Sequence, residues 1–201
     1  MFPDLMRDDV FRLETGRLWL RWPRAADAAR IAELVSAREV AEQTANIPHP
    51  YPPGAAAEFV LDARRRNLSG QALILVVTLK SRPNEVIGAV SLTIEGDEAE
   101  IGYWLGQNWW GEGYMSEAVR ALIAMAFRHT DLDAIHAKMR VGNARSRQVL
   151  EAAGFVPVGP GLCPAPARGG AVPGECFVLT RPAFAGELMA VPAARAQMQT
   201  A

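Results

Sequence analysis

Apolar spacing changes several times along the chain, and each change marks an element. Arg17-Leu18-Trp19-Leu20-Arg21-Trp22 alternates and stops at Pro23, which cannot donate to a ladder, so a first strand is predicted there. Between Ala25 and Glu42, Ile31, Leu34 and Val35 recur at helical spacing, with Arg30, Glu33 and Arg38 left for the wet face. Residues 47–53 hold four prolines and read as a stiff loop. A second helix is predicted from Ala55 to Asn67, burying Phe59 with Leu61 or Val60 and leaving Arg64 to Arg66 solvated. Three β-rich runs follow, Ala72 to Leu79, Val86 to Ile94 and Glu98 to Leu105, separated by turn signals at 82–85 and 95–97, and predict an antiparallel meander.

From Tyr114 to His129, Ala118, Val119, Leu122, Ile123, Met125 and Ala126 make one broad apolar stripe, as a helix packed on a sheet requires. Ile135, Ala137, Met139 and Val141 then alternate with His136, Lys138 and Arg140, the period of a half-buried strand. Asn143 is placed to cap a short helix through Leu150 that stops at Gly154. Pro157, Pro160, Pro164, Pro166 and Pro173, interspersed with glycines, predict a long flexible loop over 156–174. Glu175 to Arg181 completes the pattern as a last strand. The fold class expected is α+β (mixed α/β): one domain over residues 1–186, a mostly antiparallel central sheet of six to seven strands with helices on both faces, and an Ala-rich tail over 187–201.

Composition narrows the class of partner. The 201 residues carry 21 basic and 22 acidic side chains, so no net field favours nucleic acid or an anionic membrane surface. The longest apolar run, Ala72 to Leu79, is far shorter than the roughly 20 residues that span a bilayer. Cys163 and Cys176 do not form a spaced metal cluster, no metal site is expected, and the pair is a poor disulfide framework, which fits a reduced, cytoplasmic setting. A monomer or a homodimer is compatible with these features.

The richest chemistry lies in Gly102 to Ala118, a strand, a glycine-bearing turn and a helix start. Unpaired N–H groups at a helix start carry partial positive charge, and Gly111 and Gly113 let an anion approach that backbone; the same glycines also suit a tight turn with no ligand. The stretch has neither the Lys-Ser/Thr of a P-loop nor, at Ser116, the third glycine of a dinucleotide fingerprint.

Trp109-Trp110-Gly111-Glu112-Gly113-Tyr114-Met115-Ser116-Glu117-Ala118 resembles the acetyl-CoA motif of GNAT acetyltransferases, most closely the branch that includes ribosomal-protein N-terminal acetyltransferases. Further matches lie at residues 14–21, 99–105, 143–146 and 154–155, so the resemblance runs from about Leu13 to Arg181. It implies acetyl-CoA as cosubstrate, with the backbone of Gly111, Glu112, Gly113, Tyr114, Met115 and Ser116 donating to its pyrophosphate. It also implies that Tyr103, Trp104 and Leu105 pair with the pantetheine as an added strand, and that Asn143 touches the same arm. Met115 departs from the small residue usual in the family, and its side chain must point away from the phosphates.

Acetyl transfer to an amine needs a neutral nucleophile, a stabilised oxyanion and a proton for the leaving thiolate. Lys138 and Leu150 stand where several relatives carry a glutamate and a tyrosine, and neither serves those roles. The catalytic candidates are therefore Ser146, as proton donor or as a helix-start serine with a structural bond, and Glu100, as base or as a solvated strand carboxylate beside a water chain. Oxyanion stabilisation is expected from a backbone N–H near Leu105. His49 and His136 offer imidazoles but read as structural or surface groups. Trp22, Tyr51, Trp104 and the two proline-rich segments are candidates to wall the acceptor groove. The expected activity is transfer of acetyl from acetyl-CoA to a primary amine, on a protein N-terminus or a small molecule, by direct attack in a ternary complex. The alternative is a non-catalytic CoA or acyl-CoA sensor or interaction module.

Overall fold

The computed structural model describes residues 1–185, so the Ala-rich tail at 187–201 lies outside the described residues. The strands are β1 (Arg12–Glu14), β2 (Leu18–Arg21), β3 (Ala72–Leu79), β4 (Arg82–Glu95), β5 (Glu98–Leu105), β6 (Ala134–Arg140), β7 (Val156–Ala165) and β8 (Gly170–Thr180). They form one eight-stranded sheet in the order β1-β2-β3-β4-β5-β6-β8-β7, antiparallel throughout except for β5 and β6. Helices α1 (Ala28–Val35), α2 (Arg38–Glu42), α3 (Ala55–Ser69), α4 (Tyr114–His129) and α5 (Ala144–Ala152) complete the fold. The mixed α/β architecture with a mostly antiparallel sheet is as the patterning predicts.

Both faces of the sheet are covered, for reasons visible in the side-chain alternation. Leu73, Leu75 and Val77 of β3, with Ile101 of β5 and Ile135 and Met139 of β6, bury against Ala118, Leu122 and Ile123 of α4 and Leu150 of α5. Val76 of β3, with Trp104 of β5, faces Ile31, Leu34 and Val35 of α1 and Val60 of α3. A strand buried on both faces reads as a continuous apolar run, and Ala72–Leu79 is one. A register irregularity in β4 falls where Gly88 meets β5; a Cβ there would lie 2.5 Å from the Trp104 carbonyl oxygen, so only glycine lets the two strands close.

Several expectations need correction. Residues 156–174 are not a flexible loop: β7 and β8 form a hairpin across them, with a short 3₁₀ turn at Pro166–Arg168. Proline is admissible because β7 is the sheet edge, where half of the N–H groups have no ladder partner. Pro173 of β8 lies just beyond the last residue paired with β6, Gly174. With β1 at the other edge, this raises the strand count to eight. The predicted helix over 25–42 is broken between Val35 and Arg38, and in α3 it is Val60 that is buried while Leu61 is exposed. Val141 falls just outside β6 and is exposed. Trp22 is buried in the core with its indole nitrogen unpartnered, so it does not wall a groove.

The first turn of the α1 region is anchored by a buried ion pair. Arg21 on β2 donates from both terminal nitrogens to Asp27, each at 2.8 Å, and both residues are less than a tenth exposed. Removing one partner strands a buried charge, so Asp27→Ala is expected to destabilise the fold by about 3 to 5 kcal/mol in urea denaturation. Asp4→Ala, which breaks an exposed pair with Arg7, should change stability by less than about 1 kcal/mol in the same assay.

Candidate active site

The parallel pair β5 and β6 is bonded only at Glu98/Ala134, Ala99/Ile135 and Glu100/His136. Beyond those pairs β5 runs on to Leu105 and β6 to Arg140 without joining, and the fork between them opens into a cleft of about 1310 Å³. On its other side β5 stays paired with β4 along its length, and the Gly106 N–H donates to Ile87 O at 2.9 Å. Antiparallel ladders alternate, so this phase turns the backbone groups of Ile101, Tyr103 and Leu105 into the fork and those of Gly102 and Trp104 toward β4. The fork thus presents an unpaired strand edge to the cleft. Ile101 was not singled out from the sequence, although strand parity counted from Glu98 would have found it. Trp104 contributes its side chain, which packs beside α1 and lines the cleft, rather than its backbone.

At the open end of the fork, Trp110 donates from its indole to Leu105 O at 2.7 Å, and the Arg145 guanidinium lies 4.8 Å over the Trp110 ring. The chain then passes Gly111 (φ 85°) and Gly113 (φ 74°), both in the left-handed region that glycine adopts without strain. The first N–H of α4 to close back is that of Glu117, donated to Gly113 O at 3.1 Å. The N–H groups of Tyr114, Met115 and Ser116 precede it and have no intrahelical acceptor, the condition for holding an anion. Met115 points into the core and is only 6% exposed, which removes the obstacle its size raised.

Ser146 and Tyr103 meet inside the cleft. Their hydroxyl oxygens are 2.8 Å apart, and Tyr103 Oη is also 3.2 Å from the Ser146 carbonyl oxygen. Burial pushes the Tyr103 phenol up to about 12, a shift that the Ser146 bond only partly offsets. Asn143 caps α5, its side-chain oxygen accepting the Ser146 N–H at 3.1 Å, and it also lines the cleft. Glu100 is on the other face of the sheet from Tyr103, where Lys138 donates to its carboxylate at 2.5 Å. His136 lies 3.1 Å from Glu98 without hydrogen-bond alignment. Tyr51 and Pro48 of the first proline-rich segment and Cys163, Pro164 and Val172 of the β7–β8 hairpin also line the cleft. Among the described residues, no group of three or more His, Cys, Asp or Glu is arranged to hold a metal ion.

Residues 17–156, which contain the fork, the glycine turn and α5, match the family model described as an acetyltransferase (GNAT) domain. The chain belongs to the GNAT acetyltransferase family. Among its relatives, the uncharacterized N-acetyltransferase p20 of Bacillus licheniformis is 34% identical over 146 residues, covering 71% of this chain and 81% of that protein. The ribosomal-protein-serine acetyltransferase of Escherichia coli K12 is 38% identical over 78 residues, 37% of this chain and 44% of its own. Solved GNAT folds superpose closely. A ribosomal L7/L12 α-N-protein acetyltransferase in complex with coenzyme A has a TM-score of 0.74 at 21% identity, covering 85% of this chain and 98% of that one. A ribosomal-protein-S5-alanine acetyltransferase from Vibrio fischeri has 0.72 at 23%, covering 85% and 97%.

In this GNAT chain the start of α4 is braced from the N-terminal segment. Glu117 Oε1 accepts from Thr15 Oγ1 at 2.6 Å and from the Arg17 N–H at 2.8 Å, while Oε2 accepts from Arg17 Nε at 2.7 Å. Partial burial pushes the Glu117 carboxyl up, but these bonds and the Arg17 charge outweigh it and hold it below the ordinary 4.5. A carboxyl lowered in the folded state stabilises fully above its unfolded value, and the contribution is lost as pH falls through the folded value. Thermal unfolding from pH 7 down to the acid limb should therefore show Glu117→Gln less stable than wild type near neutrality, with the gap closing as pH drops below the ordinary 4.5.

Proposed function

We propose that this acetyltransferase moves the acetyl group of acetyl-CoA to a primary amine, a protein N-terminal α-amine or a small-molecule amine, by direct attack in a ternary complex. The observation that carries the reading is the Tyr103–Ser146 pair held inside the fork, between the glycine turn and the closed end of β5 and β6. The pyrophosphate binds the N–H groups at the start of α4, and the pantetheine lies along the fork-facing backbone of Leu105, Tyr103 and Ile101. This seats the thioester toward Glu100. The relative named as a ribosomal L7/L12 α-N-protein acetyltransferase favours a protein N-terminus as one class of acceptor.

The amine loses a proton to Glu100, directly or through water, and attacks the thioester carbon while a fork-facing backbone N–H of β5 steadies the oxyanion. As the C–S bond breaks, the thiolate takes the Ser146 hydroxyl proton, and Ser146 recovers one from solvent. Burial pushes the Tyr103 phenol up to about 12, so it stays protonated and serves to hold Ser146 in place. Its hydroxyl lies 2.8 Å from Ser146 Oγ and 3.2 Å from the Ser146 carbonyl oxygen, which fixes the serine beside the fork. Glu100 works while held by Lys138, whose ammonium fixes the carboxylate over the closed end of the fork.

Free-thiol release over a panel of amines and N-terminal peptides tests this reading. Ser146→Ala should lower kcat by about 100-fold with little change in KM for acetyl-CoA, and Glu100→Gln should lower kcat as well. Tyr103→Phe should cost less, and nothing further in the Ser146→Ala background, because its effect passes through that hydroxyl. Tight CoA binding with no turnover on any acceptor would instead support a CoA sensor, and absence of CoA binding would overturn both.

A further inference from the structure

The glycine turn is tied to a segment nearly a hundred residues earlier, and the tie acts on a peptide plane of the cradle itself. Arg17 donates from Nη1 to the Glu112 carbonyl oxygen at 2.9 Å. In a planar trans peptide the C=O of one residue and the N–H of the next point in opposite directions. Drawing the Glu112 oxygen toward Arg17 therefore aims the Gly113 N–H away from Arg17, across the turn. Gly113 tolerates that orientation because its φ of 74° needs no side chain to be accommodated. The guanidinium is fixed on three sides: by Glu117 Oε2 at 2.7 Å, by the Glu112 oxygen, and by the Tyr114 ring 4.5 Å beneath it.

Glu117 presents an apparent contradiction. It places a carboxylate in the first turn of α4, within a turn of N–H groups that are to hold a pyrophosphate, and like charges there repel. Yet both of its oxygens are turned to Thr15 and Arg17 and are occupied by them. The carboxylate serves the cradle by holding the arginine that orients it.

We infer that Arg17, anchored by Glu117, is a positioning residue for the CoA pyrophosphate site, setting the direction of the Glu112–Gly113 peptide. The inference rests on the proposed CoA binding at the start of α4. It makes a prediction opposite in sign to simple electrostatics. Removing the negative charge with Glu117→Gln should weaken CoA binding, about 10-fold in Kd by calorimetry on the full chain, whereas charge repulsion alone would have it tighten. Arg17→Gln should weaken binding by a similar factor, and the double variant by no more than the worse single one, because the two residues act as a unit. Glu14→Gln, which breaks only a surface pair with Lys80, should leave Kd unchanged.

A second measurement covers variants of reduced stability: in 15N-glycine-labelled protein without ligand, Arg17→Lys should shift the Gly113 amide resonance while leaving that of Gly96 in place. Unchanged or tighter CoA binding by Glu117→Gln, additive losses in the double variant, or an unmoved Gly113 resonance overturns the inference. A wild-type chain that binds no CoA fails at the earlier step, and removes the CoA reading together with the inference built on it.

Discussion

The structure is organised around two parallel strands that part company. β5 is committed along its length to β4, and β6 along its length to β8, so each belongs to a half-sheet with its own twist. Only Glu98 to Glu100 and Ala134 to His136 satisfy both sides at once. Past that point the inward backbone groups of Ile101, Tyr103 and Leu105 have no strand to pair with, and buried peptide groups need partners. The Trp110 indole supplies one, at Leu105 O; the others leave an unpaired strand edge along the cleft. The cleft is in this sense a missing piece of sheet.

Everything placed around the fork follows from the crossover between its two arms. The chain leaves β5 at Leu105 and returns at Ala134, and α4 lies between, so the helix start falls at the open end of the fork. The glycine turn is where strand becomes helix. α5 follows β6 in the same way and brings Ser146 back to Tyr103 on the facing arm, 43 residues earlier in the chain. The cleft is thus lined by residues near strand ends and helix starts, the usual location of sites in open sheets with crossover helices.

Much of this was legible in the sequence, because the signals were periodic or carried by a motif. The limits of α4 agree with its apolar stripe, Asn143 is the cap its position indicated, and the order of the meander β3–β4–β5 is as patterned, although its first turn falls at 80–81 and the turn signal at 82–85 lies inside β4. The glycine turn was legible through resemblance more than through spacing. What was hidden depended on pairing rather than on local preference. The prolines of 156–174 argued for a loop because local propensity cannot know that a strand is an edge. Trp22 looked available as a groove wall because burial is decided by packing against distant elements. The contacts among Thr15, Arg17 and Glu117 were equally invisible singly; only folding brings together residues a hundred positions apart.

The proline-bearing hairpin also shapes how the molecule can meet its own copies. β7 is an open edge exposing Val156, Val158 and Leu162, the kind of strand that invites another chain to extend the sheet. Pro160 and Pro164 are four residues apart in one register against β8, so they share a ladder phase, the outward one in which a missing N–H costs the sheet nothing. An incoming strand would find carbonyl acceptors there but gaps among the donors. The residues that disguised β7 as a loop thus leave this edge, the longer of the two sheet borders among the described residues, a poor template for runaway strand addition.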